Sequence, residues 1–196
     1  MNKDLVHSNL LLKHEANGLL FEKGLFNILS ACGTPHLSGS YALDLMTWRD
    51  LDIYLQTDHL TINDFFALGA AIANAFEPVK MSFRNELLAQ TPGLPTGLYW
   101  GVYLGNEKAG AWKMDIWAVS TPECERLLEY CSGIQQKLTP EVVLPILDIK
   151  SQCWQDPAYR RIYSSTDIYD AVLLHNVRDI DGFKKYLNTI HKPTQS

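Results

Sequence analysis

The run Asp50-Leu51-Asp52-Ile53-Tyr54-Leu55 alternates polar and apolar residues at every step, and in an extended strand successive side chains face opposite ways. Leu51, Ile53 and Leu55 then share one face with Arg49, while Asp50, Asp52 and Tyr54 project together from the other. Two unit charges about 4 Å apart at an effective dielectric near 20 repel by roughly 4 kcal/mol. Packing alone does not recover that cost, whereas a divalent cation held between the two acids removes it. The segment reads as a core strand that carries two carboxylates toward a ligand.

A third carboxylate sits in a similar setting. Asp115 is isolated within the otherwise apolar stretch Trp112-Lys113-Met114-Asp115-Ile116-Trp117-Ala118-Val119, with Lys113 and Trp117 on its face. If this strand lies beside the Asp50/Asp52 strand, the three acids converge, and three such groups suit two metal ions about 3.5 to 4 Å apart. Gly39-Ser40 precedes the pair, separated from Asp50 by the nine residues Tyr41 to Arg49. A small pair where a strand meets a turn or helix lets backbone N–H groups approach a phosphate closely.

Periodicity places these segments in a wider plan. Apolar residues recur at three and four over Leu5 to His14 and Leu19 to Ser30, which predicts two amphipathic helices. Short strands are expected at Thr34 to Leu37 and Leu51 to Leu55, followed by a turn over Asp58 to Thr61 and a helix from Ile62 to Phe76. After Pro78 the pattern changes to strands at Val79 to Arg84, Gly97 to Leu104 and Ala111 to Val119, the last two joined by a hairpin through Gly105 to Gly110. Two Thr-Pro-Glu tripeptides, at 121–123 and 139–141, then mark helix starts, with Thr as cap, Pro in the first turn and Glu facing the positive helix end. Further helices are expected from Asp167 to Asn176 and from Ile180 to Ile190. The plan is α+β: a mixed, mostly antiparallel sheet flanked by helices, in an α/β unit over 1–120 that includes the two N-terminal helices. A helical C-terminal region, 121–196, packs on that unit.

Composition narrows the partners. The formal charge of -5 gives no global field for a nucleic-acid backbone, so a long nucleic acid is disfavoured. Charged residues interrupt the apolar N-terminus, and no run reaches the roughly 18 apolar residues of a membrane span. Cys32, Cys124, Cys131 and Cys153 form no CxxC pair and read as free thiols in a reducing cytoplasm. The histidines are scattered, His191 among them, without metal-ligand spacing.

Gly39-Ser40, the nine-residue spacing, Asp50-Leu51-Asp52-Ile53 and Asp115 together resemble the DNA polymerase beta-like nucleotidyltransferase superfamily. The run Gly39-Ser40-Tyr41-Ala42-Leu43-Asp44 is similar to the opening of small antibiotic nucleotidyltransferases acting on aminoglycosides and lincosamides. In those relatives an arginine lies a few residues before the acidic pair and is usually followed by a histidine. Here Arg49 abuts Asp50, and the histidine is absent. The resemblance implies the nucleotidyltransferase fold. It also implies two Mg2+ ions on Asp50, Asp52 and Asp115, with Asp115 as metal ligand or base, and nucleotide phosphates on Gly39 and Ser40. Lys113, on the face of Asp115, is the candidate for the triphosphate. Transfer of a nucleoside monophosphate from ATP or another NTP to a hydroxyl of a small-molecule acceptor, with release of pyrophosphate, follows from it. A protein or a tRNA end is the second acceptor class.

Competing readings attach to several of these residues. Asp44 is expected to hydrogen-bond its own loop, and Arg49 to form an ion pair away from the acids. Lys80 and Arg84 are weaker candidates for helping with phosphate. Tyr99, Trp100, Tyr103, Trp112 and Trp117 either stack on a substrate ring or build the two faces of the sheet. A glycosyltransferase using the acidic pair on a nucleotide sugar, and a non-catalytic binding protein of the same fold, are the alternatives.

Overall fold

The structure, a computed structural model, describes residues 2–190, with side chains from Asp4 onward; His191 and the rest of the C-terminal end lie outside the described residues. Nine α-helices and five strands alternate within them: α1 (Asn2–Asn17), α2 (Leu25–Ser30), β1 (Thr34–Leu37), α3 (Gly39–Ala42), β2 (Asp50–Gln56), α4 (Ile62–Phe76), β3 (Lys80–Asn85), α5 (Glu86–Ala89), β4 (Gly97–Tyr103), β5 (Lys113–Val119), α6 (Thr121–Gln135), α7 (Pro140–Cys153), α8 (Ser165–His175) and α9 (Ile180–Thr189).

The second predicted N-terminal helix is two pieces: a π-helical turn over Gly18–Glu22 and then α2, separated by Gly24 in the left-handed region at φ 78°. The break lets Leu19, Leu20 and Leu25 all turn into the core. α4 matches its predicted span and begins with a capping box, in which the Asp64 N–H donates to the Thr61 hydroxyl and the Thr61 N–H to the Asp64 carboxylate. The two Thr-Pro-Glu starts differ from expectation and from each other. Thr139 is the cap residue of α7 but makes no side-chain cap bond. At α6 the cap is Ser120; Thr121 is already helical, and its N–H and hydroxyl both donate to Asp58 beyond the end of β2, at 2.8 and 2.7 Å. That pair ties α6 to the strand carrying the acids.

The sheet runs β1-β2-β5-β4-β3, with β2 and β5 parallel at its centre and the other pairs antiparallel. The parallel register sets Asp52 opposite Asp115 and Asp50 opposite Lys113. Leu51, Ile53 and Leu55 of β2, Met114 and Ile116 of β5, and Trp100 of β4 enter one core with α1, α2 and α4. Complete burial of each aliphatic stabilises by roughly 1.5–3 kcal/mol, so this apolar face holds β2 in place while its other edge carries charge. A second core joins α7, α8 and α9 through Ile146, Ile149, Ile168, Val172 and Phe183, and it takes in Leu43 and Leu45 from the loop leading to β2. The acidic face of the sheet therefore looks toward α6 and α8 across a cleft.

No described helix is long and apolar enough to cross a membrane. The four cysteines are free thiols, Cys124 and Cys153 buried and the other two half-buried.

Candidate metal centre

The alternation of β2 and the parallel register of β5 bring Asp50, Asp52 and Asp115 together, each offering an oxygen within 4.8 Å of the others. The convergence that the sequence made conditional on strand order is therefore present. Asp50 is buried, at 7% exposure, and pairs through Oδ2 with Arg160, while its Oδ1 is buried without a hydrogen-bond partner. Lys113 Nζ donates to Asp115 Oδ2, and the Tyr99 hydroxyl donates to Asp115 Oδ1 at 2.6 Å. Gly101 stands opposite Asp115 on β4; a Cβ there would lie 2.4 Å from the Tyr99 oxygen, so the glycine makes room for that hydroxyl.

Gly39 plays the same part for Asp52. Its φ of 57° suits glycine, and a Cβ at this position would come within 2.1 Å of Asp52 Oδ2. The Ser38 N–H donates to the Asp52 carbonyl at 2.9 Å, which fixes the α3 start against β2. Ser40 is buried, and Ser38, Gly39 and Ser40 line a cleft of about 210 Å³ together with Asp50 and Asp52. Leu127, Tyr130 and Cys131 of α6 and Tyr169 of α8 close its far side.

The electrostatics of the cluster are those of too many acids in too little water. Burial pushes the Asp52 carboxyl up to about 7, with repulsion from Asp50 and Asp115 adding to it and Lys113 and Arg160 only partly offsetting it. Asp115 is also raised, first by burial and then by Asp50, against the opposing pull of Lys113 and Tyr99. For Lys113 burial works to lower the pKa, but Asp115 and Asp50 outweigh it and the ammonium is held above its usual range. Three carboxylates thus face two paired cations, and Asp52 absorbs the imbalance by holding a proton near neutrality.

Oxygen donors of this kind suit a hard divalent cation. The orphaned Oδ1 of Asp50 and the raised Asp52 are features that such an ion would satisfy and reverse.

Of the remaining sequence candidates, Tyr99 touches the cluster through Asp115, and Arg49, Asp44, Lys80, Arg84 and Trp100 make their contacts elsewhere. Arg49 makes a bidentate pair with Glu15 of α1, at 2.6 and 2.8 Å, on the opposite face of the sheet. Asp44, at φ 56°, pairs with Lys13 of α1 rather than with its own loop. Lys80 lies over the Tyr103 ring and Arg84 pairs with Glu86, both on the outer strand β3. Trp100 is stacked on Phe65 in the core, while Tyr99 and Trp117 pack against each other on the acidic face.

Two basic residues near the site carried no assignment from the sequence. Arg160 comes from the connection between α7 and α8, where its φ of 65° is unusual for a non-glycine residue. Nothing in Tyr159-Arg160-Arg161 distinguishes it locally. Lys150 is fully buried in α7 and donates to the Leu45 carbonyl and the Tyr169 hydroxyl, beneath the Trp48 ring. Burial lowers its pKa to about 7 despite the attraction of Asp52 and Asp50. Its signal was legible: it interrupts the apolar stripe Ile146, Ile149, Cys153.

No family model matches this chain, and no curated protein matches its sequence. Among solved structures, CdnC of E. coli MS115-1 in its complex with HORMA-deltaN is similar at a TM-score of 0.38 and 14% identity, over 96% of this chain and 63% of that one. The present chain thus spans less than two thirds of that neighbour. A likeness this distant assigns no residue here, and the reading of the site rests on its own geometry.

Proposed function

We propose that the protein is a divalent-cation-dependent nucleotidyltransferase of the DNA polymerase beta-like kind, moving a nucleoside monophosphate from an NTP to a hydroxyl of a small-molecule acceptor. The convergence of Asp50, Asp52 and Asp115, the first two on the wall of the cleft, with one buried oxygen unpartnered, carries this reading. Asp50, Asp52 and Asp115 would hold the ions, magnesium being the expected one. Bound there, the metal would neutralise the transferring phosphoryl group and favour the deprotonated acceptor hydroxyl.

The protein's own contribution is placement, which is most of what phosphoryl transfer requires. Gly39 keeps Asp52 in the cluster, and Tyr99 orients Asp115 by its hydroxyl. The backbone at Gly39 and Ser40 lies on the cleft wall, where phosphate oxygens would meet it, and Lys113 adds positive charge beside Asp115. Residues of α6 and α8, within the proposed C-terminal region 121–196, cover the side left for the acceptor, and a cleft of about 210 Å³ suits a small one.

Incubation with each of the four α-labelled NTPs, Mg2+ and a panel of hydroxyl-bearing small molecules, RNA and proteins should give labelled product and pyrophosphate. Asp52→Asn should abolish both. Transfer retained at wild-type rates in Asp52→Asn would dismiss the reading, and Mg2+ binding without transfer from any triphosphate would leave a non-catalytic binding protein.

A further inference from the structure

Arg160 has no place in the proposed chemistry, yet it occupies the position an ion would contest. Its guanidinium reaches Asp50 Oδ2 on one side and Glu107 Oε2, at 3.0 Å, on the other. It fills only half of Asp50's capacity, leaving Oδ1 buried and unpartnered. The surroundings of the two cations at the cluster differ. The Lys113 side chain is 8% exposed, whereas that of Arg160 is 35% exposed. Arg160 also lines a second cavity of about 140 Å³, bounded by Trp48, Trp154, Glu107 and Lys108, while the Asp50 it pairs with lines the acidic cleft. The side chain has space to leave Asp50 while Glu107 retains it.

We infer that Arg160 is the exchangeable counter-ion of the cation site. It neutralises Asp50 when no ion is present, yields the carboxylate when a divalent cation arrives, and then turns its donors to the phosphate chain from its tether on Glu107. The inference rests on reading the acidic cluster as a divalent-cation site. A guanidinium and a divalent ion compete for the same carboxylate and repel each other at short range, so both cannot stay against Asp50. A guanidinium released at the cleft edge offers the planar fork that matches phosphate oxygens.

The test uses Mn2+ alone, followed by the free-ion EPR signal, and then inorganic tripolyphosphate at saturating Mn2+. Arg160→Gly suits the left-handed backbone and preserves the fold; Arg160→Gln keeps the side-chain length. Both should bind Mn2+ at least tenfold more tightly than wild type and tripolyphosphate at least tenfold more weakly. A purely structural arginine would move both affinities in one direction. Unchanged or weaker Mn2+ binding in the two variants overturns the inference, and tighter Mn2+ with unchanged tripolyphosphate overturns its phosphate half. Asp52→Asn, run alongside, should lose Mn2+; if it binds as wild type does, the cation-site reading itself fails, whatever the Arg160 variants do.

Discussion

Replacing Gly39 by alanine perturbs the metal centre without touching an acid. At φ 57° a side chain costs about 1–2 kcal/mol. The new Cβ would lie 2.1 Å from Asp52 Oδ2 and 2.9 Å from its Cγ, so the carboxylate must swing off its rotamer at roughly 0.5–1.5 kcal/mol. Relief of repulsion among the three acids offsets part of this, which leaves a net loss near 2 kcal/mol in the ion-free protein. Gly24→Ala is the control: it shares a left-handed φ of 78° but has nothing within 4 Å, so it should lose only the backbone cost of about 1–2 kcal/mol. Thermal denaturation with and without Mn2+ separates the two. Wild type and Gly24→Ala should gain stability with the ion by linkage, whereas Gly39→Ala, with one ligand displaced, should bind it at least tenfold more weakly and give up about 1.4 kcal/mol of that gain. Equal responses to Mn2+ in both variants would refute the claim that Gly39 exists to seat Asp52.

The ion-free protein should be least stable near neutral pH as far as two buried groups decide it. Asp52, raised to about 7 in the fold, keeps its proton where the unfolded chain has lost it, so its penalty grows as pH rises from about 4 to 7, on the order of 4 kcal/mol in full. Lys150, lowered to about 7, is neutral in the fold while the unfolded chain stays charged, so stability returns between pH 7 and about 10.5. Urea titrations over this range should show the dip, Asp52→Asn should flatten its acid side, and a monotonic curve would contradict both assignments. Tyr99→Phe removes the 2.6 Å hydrogen bond to Asp115 and should cost about 1–2 kcal/mol by calorimetry while weakening Mn2+ binding; unchanged Mn2+ affinity would show that the hydroxyl does not orient Asp115. Ile53→Ala, on the core face of β2, should cost about 2–5 kcal/mol and leave Mn2+ stoichiometry intact, whereas loss of the ion at temperatures where it is folded would show that the two faces of the strand are not independent.

What could be read in the sequence was what is local. The division of β2 into a core face and an acidic face follows from a period of two, and the structure keeps it residue by residue, with Leu51, Ile53 and Leu55 buried and Asp50, Asp52 and Tyr54 on the cleft. Glycine and proline punctuation located most element boundaries, and α4 and β1 match their expected spans. Asp115 could be nominated but not placed, because a parallel pairing between strands some sixty residues apart depends on the whole topology. The missed residues divide by the same criterion. Lys150 announces itself as a charge on an apolar stripe. Arg160 does not, since its contact with Asp50 depends on a left-handed backbone in a helix connection and on how α7 and α8 dock. The pairing of Asp44 with Lys13 likewise joins segments that no local pattern relates.

Anomalous diffraction from crystals grown with Mn2+ addresses the metal centre most directly. A peak should lie between β2 and β5, about 2.0–2.6 Å from oxygens of Asp50, Asp52 and Asp115, with the guanidinium of Arg160 withdrawn from Asp50. Crystals showing no peak there, with Lys113 and Arg160 still bridging the acids, would mean that the three carboxylates are balanced by the protein's own cations and hold no metal.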